Sequence, residues 1–448
     1  MKMTMHEEKL KLLLIIPSAL DSNGQPVKLK KLMLPSITML MLSAVTPKSF
    51  QSRVIYETVE DIPFDEHWDL VGITGMGSGS VRAWQIADVF RGKGAKVVIG
   101  GIGPSIFNPE GTLEHADTIV IGEAEEIWPV LLEDFRKGTM KRTYKAEHPP
   151  DMATLPTPRF DLLNAKKMGF MRSIQATRGC PNICSFCSIA AFSKGSYRKR
   201  PVDKVIGDIR AIKKSGSRYV VFVDDNLFFD LDYNRELWEA LIPEKITWLS
   251  SSTIQLADYP EMLSLAHKSG CCMLSVGLES LDNKNLKDVY KTWNKPDRYI
   301  EAIEVLRKNG IMVSTSMMMG LDYDTVDTFR HVFDFIMASH VPIPRIMIFT
   351  PIPGTPAYDS LEQENRIMNR DLSKYTGGNV VFQPRNMTPG ELQKGYWKLY
   401  EDLFTRKNIF RRMSRNIPGQ NPLIIAGLFV TNYNYRRHIR NRVVPGIT

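Results

Sequence analysis

The sequence predicts an α/β protein made of two successive parallel-sheet domains and a helical end. Three observations carry this. The chain has 448 residues, about three times a typical domain of roughly 150. Short apolar runs of strand length alternate with amphipathic stretches, first irregularly and then with a regular period. Glycines collect where the runs end. The composition, 43% hydrophobic and 24% charged, is that of an ordinary globular protein; it excludes a disordered chain, a collagen and a polytopic membrane protein.

Residues 1–145 form the first domain. Leu12–Ile16, Leu70–Thr74, Val97–Ile99 and Thr118–Ile121 read as parallel strands buried on both faces. Between two of them, Ala83, Ile86, Ala87 and Phe90 share one helical face. Glycines follow the strands: Gly75, Gly77 and Gly79, then Gly100, Gly101 and Gly103, then Gly122. Open α/β sheets bind ligands beyond the strand carboxyl ends, so these three glycine clusters mark a candidate ligand crevice. Tight turns are the ordinary use of such glycines.

Residues 146–172, with His148-Pro149-Pro150 and Pro156-x-Pro158, read as a linker. From 173 to 375 strand and helix alternate regularly, with strands at Ile174–Thr177, Tyr219–Val223, Ile246–Ser250, Met273–Leu278, Ile311–Met317 and Arg345–Phe349. Helical faces appear at Val205, Ile209 and Ile212, ending at Ser215-Gly216; at Tyr299, Ile303 and Leu306, ending at Asn309-Gly310; and at Phe329, Val332, Phe333 and Ile336. This alternation implies a closed or nearly closed β/α barrel with its site at the strand carboxyl ends.

Residues 376–448 read as helical and then basic. The chain carries 58 Lys+Arg against 49 Asp+Glu, a net charge of +9. From Leu403 onward it has Arg406, Lys407, Arg411, Arg412, Arg415, Arg436, Arg437, Arg440 and Arg442 but no Asp or Glu, so everything before Leu403 is balanced. A diffuse nucleic-acid surface is disfavoured; one local polyanion contact is allowed. Leu423–Val430 is apolar but too short to cross a bilayer, and Tyr433, Tyr435 and arginines flank it. That pattern suits either an interfacial segment on an anionic membrane or a helix packed on the barrel. Glu7 and Glu8 precede an apolar run too short for a signal sequence, so a cytoplasmic protein is expected.

The sharpest motif is Arg178-Gly179-Cys180-Pro181-Asn182-Ile183-Cys184-Ser185-Phe186-Cys187, directly after the first barrel strand. Three thiolates on one short loop can hold a corner of a cubane cluster and leave one iron without a protein ligand. A structural zinc needs four closed ligands, and no His follows at finger spacing. A disulfide framework fails on the odd count of five cysteines. Cys271 and Cys272, far downstream, read as core.

Cys180, Cys184, Phe186 and Cys187 match the Cys-x3-Cys-x-aromatic-Cys signature of the radical S-adenosylmethionine superfamily, which this chain resembles. The resemblance implies a six-unit partial (β/α)6 barrel, a 4Fe–4S cluster on the three cysteines, and S-adenosyl-L-methionine bound to the open iron and cleaved reductively to a 5′-deoxyadenosyl radical. It places Phe186, Asp225, Ser251, Glu279 and Ser280 around the S-adenosylmethionine. Asp225 would accept from the methionine ammonium, or be an ordinary turn cap. Glu279 and Ser280 would meet the ribose or sulfonium, or open a helix; Ser251 is a small hydroxyl beside them.

The first domain resembles the Rossmann-like cobalamin-binding domain of many enzymes in this superfamily, through Asp69–Thr74, Val97–Pro104 and Val120–Glu125; Pro351-x-Pro353-Gly354-Thr355-Pro356 and Asn386–Leu392 extend the likeness to about residues 10–400. It implies a cobalamin on Thr74, Gly75, Gly100, Gly101, Gly122 and Glu123. The Asp-x-His-x-x-Gly motif that gives cobalt a lower histidine is absent; Asp65-Glu66-His67-Trp68-Asp69-Leu70 only approaches it. The related tRNA methylthiotransferases carry a second cluster on cysteines of their first domain, and residues 1–179 here contain none. The implied activity is methyl transfer to an unactivated carbon of a small-molecule, lipid or peptide substrate, with an electron donor such as flavodoxin or ferredoxin. A radical cyclase or rearrangement enzyme is the alternative. A non-enzymatic iron–sulfur protein contacting nucleic acid is the alternative of another class.

Overall fold

The computed structural model describes residues 9–21, 24–77, 79–418 and 420–445; Glu7 and Glu8 lie outside the described residues. The chain divides into two compact units. One runs to Met171 and takes in Ala211–Gly216; the other comprises Arg172–Arg210 and the chain from Ser217 onward.

In the first unit six parallel strands stand in the order Phe50–Tyr56, Leu10–Ile16, Leu70–Thr74, Lys96–Gly100, Thr118–Ile121, Thr143–Lys145. Leu12, Leu13, Leu14 and Ile15 are all buried, as a central strand covered on both faces demands. Strand order reverses beside Leu10–Ile16, so the topological switch point lies between the ends of that strand and of Leu70–Thr74. Ala83, Ile86, Ala87 and Phe90 of helix Gly79–Gly92 are buried against the sheet.

Sequence reading missed both edge strands. Phe50–Tyr56 is interrupted by the polar run Gln51-Ser52-Arg53, which leaves only Val54-Ile55-Tyr56 as an apolar run, and Thr143–Lys145 has one buried residue; short or broken runs of this kind are usual at sheet edges. The proline-rich stretch is docked. Met152 and Leu155 pack with Met41 of helix Thr38–Val45, and Arg159 N–H donates to Leu40 O (3.2 Å).

In the second unit the strands Met171–Ile174, Tyr219–Phe222, Thr247–Ser252, Cys271–Glu279, Met312–Met319 and Ile343–Ile348 pair in sequential order. The first and last are not neighbours, which makes the barrel partial. Val205, Ile209 and Ile212, and Tyr299, Ile303 and Leu306, are buried as their spacing predicts. On helix Thr328–Ser339 the inward face is Val332, Phe335 and Ile336, with Phe329 and Phe333 half-buried. The first strand ends earlier than its apolar run suggests. Thr177–Arg178 instead pairs antiparallel with Arg198–Lys199, a ribbon that brackets the cysteine loop on both sides.

Helices Pro389–Leu403, Arg406–Ser414 and Pro422–Arg440 close the second unit. The buried Arg412 guanidinium joins them to the barrel. It donates to Val341 O and Pro342 O (both 2.9 Å) and to Asn432 Oδ1 (3.0 Å). Burial lowers its pKa to about 9. No helix among the described residues is long and apolar enough to cross a membrane.

Removing this guanidinium orphans several buried acceptors. Arg412→Met is therefore expected to cost about 2–4 kcal/mol in denaturant unfolding. Exposed Arg411→Met should stay within about 0.5 kcal/mol.

Candidate functional site

Two adjacent aspartates fix the exit of the first barrel strand. Asp224, fully enclosed after strand Tyr219–Phe222, accepts from Ala176 N–H (3.1 Å), from Thr177 Oγ1–H (2.6 Å) and from Thr177 N–H. Burial pushes its carboxyl up to about 7, against the pull of these donors. Asp225 Oδ2 accepts from Gly179 N–H (2.9 Å). Gly179 has φ +82°, and a Cβ there would run into Ser196 O, so the turn into the loop requires glycine. The loop closes with Cys187 N–H on Cys184 O (3.1 Å) and Ser185 N–H on Val289 O (3.2 Å). Helix Ser188–Ser193 then begins.

Cys180, Cys184 and Cys187 line one cavity of about 240 Å³, and the same cavity takes in Phe186, Asp225, Ser251 and Glu279. Ser280 does not line it. Its Oγ accepts from Asp282 N–H (3.1 Å) and Asn285 Nδ2 (3.2 Å) at the start of helix Asn283–Asp288. Burial pushes the Cys184 thiol up to about 12 and raises those of Cys180 and Cys187. Among the described residues no three His, Cys, Asp or Glu side chains converge on a single-ion position.

Glu279 ends its strand in the left-handed region, at φ +65°. Its carboxylate meets Lys291 Nζ at 2.7 Å. Burial works against the Lys291 ammonium, but Glu279 and the neighbouring cysteine sulfurs outweigh it and hold its pKa above the usual value. A Cβ on Gly277 would overlap this ion pair; glycine there leaves the pair its space.

Sequence reading missed Lys291, Asn226, Trp293 and Arg345, all of which line the cavity. Strand register puts Gly277, Ser316 and Arg345 side by side, and Arg345 Nη2 donates to Ser275 Oγ (2.6 Å). A cation inside an otherwise apolar strand was the available signal. Asn226 Oδ1, Trp293 Nε1 and Arg345 Nε are buried without a protein partner. The cavity therefore offers a bound polar molecule one acceptor and two donors.

In the first unit, strand register sets Thr74 opposite Gly100. Gly75 N–H donates to Gly100 O and Gly103 N–H to Gly75 O (both 2.8 Å). A Cβ on Gly101 (φ +102°) would come 2.9 Å from both Gly75 O and Thr74 Oγ1. Gly101 thus serves the contact between these two loops. Ser105 ties the third loop in, donating to Gly101 O (2.7 Å) and accepting from Gly122 N–H (3.0 Å); Glu123 follows, half-buried. Gly77 and Gly79 have open space where a Cβ would stand. His67 precedes strand Leu70–Thr74, away from its carboxyl end, and pairs with Asp69 (3.4 Å).

Residues 174–336 match the radical SAM superfamily, and residues 355–426 match a domain of unknown function, DUF4070. The chain is 31% identical over 386 residues to the bacteriochlorophyllide d C-12(1)-methyltransferase of Chlorobaculum tepidum, covering 84% of each. It is 29% identical over 438 residues to the bacteriochlorophyllide d C-8(2)-methyltransferase of the same organism, covering 94% of this chain and 93% of that one. Its fold is shared with the cobalamin-dependent S-adenosylmethionine radical enzyme OxsB, solved with aqua-cobalamin and S-adenosylmethionine bound. There the TM-score is 0.72 at 16% identity, covering 97% of this chain and 72% of that one.

Anaerobic reconstitution is expected to give about four iron per chain. Joint replacement of Cys180, Cys184 and Cys187 by Ala should abolish the iron and its visible absorption, whereas Cys271→Ala with Cys272→Ala should keep both. Gly101→Ala should lower unfolding stability by about 1–3 kcal/mol in cobalamin-free protein, where no corrin is present to collide with it.

Proposed function

The chain belongs to the cobalamin-binding-domain family of radical S-adenosylmethionine enzymes, and from that premise we propose that it is a methyltransferase acting on an unactivated carbon. The observation that carries this is the convergence of Cys180, Cys184 and Cys187 with unpartnered Asn226, Trp293 and Arg345 atoms in one cavity. When bound, the 4Fe–4S cluster, S-adenosylmethionine and cobalamin supply the electron, the hydrogen-abstracting radical and the methyl group.

The protein holds and orients. Cys180, Cys184 and Cys187 would ligate the cluster, and Phe186 lines the same cavity. Asp225, which lines the cavity and holds Gly179 through Oδ2, would face a methionine ammonium. Glu279 and Lys291 place a neutralised pair beside the sulfurs, where either charge alone in a buried site is costly. In the first unit, Thr74, Gly75, Gly100, Gly101, Gly122 and Glu123 shape the loops of the cobalamin edge, and Gly77 and Gly79 leave its face bare. An electron donor such as flavodoxin or ferredoxin and a small-molecule substrate complete the reaction. Because two relatives act on bacteriochlorophyllide d, tetrapyrroles are the first candidates, ahead of lipids and peptides.

The test is anaerobic turnover with methyl-deuterated S-adenosylmethionine and a panel of tetrapyrroles, followed by mass spectrometry. The expected products are 5′-deoxyadenosine and a substrate carrying a labelled methyl. Deoxyadenosine with an unmethylated, cyclised or rearranged product would replace methyl transfer by the cyclase reading. Absence of deoxyadenosine would leave a non-enzymatic iron–sulfur protein. Gly79→Leu, built into open space, should reduce the cobalamin retained on purification at least tenfold while iron content stays at the wild-type level.

A further inference from the structure

The C-terminal helix Pro422–Arg440 carries two opposed stripes. Ile425, Leu428, Asn432 and Ile439 are buried, and Asn432 is held by Arg412 and by Pro342 O. Along the other side run Leu423, Ala426, Val430, Tyr433, Arg437 and Arg440, spaced three or four residues apart and all exposed. Leu423 is 71% exposed, Val430 59% and Tyr433 47%. The outer stripe is thus apolar over its first half and cationic over its second. Helix Arg406–Ser414 repeats the combination, with Phe410 63% exposed among the exposed Arg406, Lys407 and Arg411.

The charge is divided between inward and outward uses. Arg412 is buried, Arg436 donates to Phe404 O (2.7 Å), and Arg442 pairs with Glu401 (3.0 Å). Arg406, Lys407, Arg411, Arg437 and Arg440 are exposed and make no ion pair among the described residues, in a segment with no Asp or Glu from Leu403 onward.

We infer that these two helices dock on an anionic lipid surface, with Leu423, Val430 and Tyr433 in the acyl boundary and Arg437 and Arg440 at the headgroups. The buried stripe anchors the helix to the second unit and leaves the outer one for the bilayer. A nucleic acid would use the arginines but has no place for an exposed Leu423 and Val430; a neutral bilayer would use the apolar half and ignore the cations. The inference stands apart from the cofactors and from methyl transfer.

The test is co-sedimentation of the full chain with phosphatidylcholine vesicles and with vesicles containing phosphatidylglycerol. Binding should require phosphatidylglycerol and weaken at least tenfold at high salt. Leu423→Asp with Val430→Asp, and Arg437→Glu with Arg440→Glu, should each weaken it at least tenfold and keep the wild-type melting temperature, because all four side chains are exposed. Phe410→Ser with Arg411→Glu gives a third pair on the other helix, should either of the first two melt early. Equal binding to both vesicles, insensitivity to every folded pair, or retention on single-stranded or duplex nucleic acid without vesicle binding would overturn the inference.

Discussion

One enclosed carboxylate sets the geometry of the second unit. Asp224 takes the Ala176 and Thr177 amides and the Thr177 hydroxyl, which pins the exit of the first barrel strand to the exit of the second. Burying it is costly, as its raised pKa records, and a site that offset the cost with a nearby cation would gain stability. Here the compensation is backbone and hydroxyl donors, so the carboxylate works as a geometric clamp. Asp225 repeats the clamp one residue on, at Gly179. The cysteine loop leaves from that fixed point, and its turn back to the chain is closed by the ribbon of Thr177–Arg178 with Arg198–Lys199.

From that anchor the rest of the cavity follows from strand register. Parallel strands paired in sequence carry residues from distant parts of the chain to one level. Gly277, Ser316 and Arg345 become neighbours in this way. Glu279 reaches the cavity where its strand ends in a left-handed residue, and Lys291 comes from the turn beyond helix Asn283–Asp288. Burial disfavours charge on each cysteine, so the loop holds thiolates only when positive centres lie among them. Lys291 contributes one such charge, and the cluster irons would contribute the others.

What was legible in the sequence was what is local. The central strands show because both of their faces are apolar, and the cysteine trio shows because its three thiols lie on one short loop. Helix faces such as Val205, Ile209 and Ile212 show through their spacing. The edge strands Phe50–Tyr56 and Thr143–Lys145 do not, since polar residues shorten their apolar runs to three residues and to one. Lys291, Asn226 and Trp293 did not show for another reason: they lie on loops that only the folded barrel brings to one cavity, whereas Arg345 left a trace as a cation inside an apolar strand. Gly101 was legible as a glycine with a purpose, but its neighbour is Gly75 O within the same unit, a contact no spacing rule encodes. The chain turns at Glu279, and Ser280 Oγ is taken up by Asp282 N–H and Asn285 Nδ2 before the next helix.

The most direct measurement is electron paramagnetic resonance of the reconstituted, reduced protein, with and without S-adenosylmethionine. Ligation by Cys180, Cys184 and Cys187 alone leaves one iron of the cluster open, so the signal of a reduced 4Fe–4S cluster should change in shape and position when S-adenosylmethionine is added. A cluster signal indifferent to S-adenosylmethionine would mean a fourth protein ligand closes the site. That result would contradict the open-iron chemistry on which methyl transfer rests.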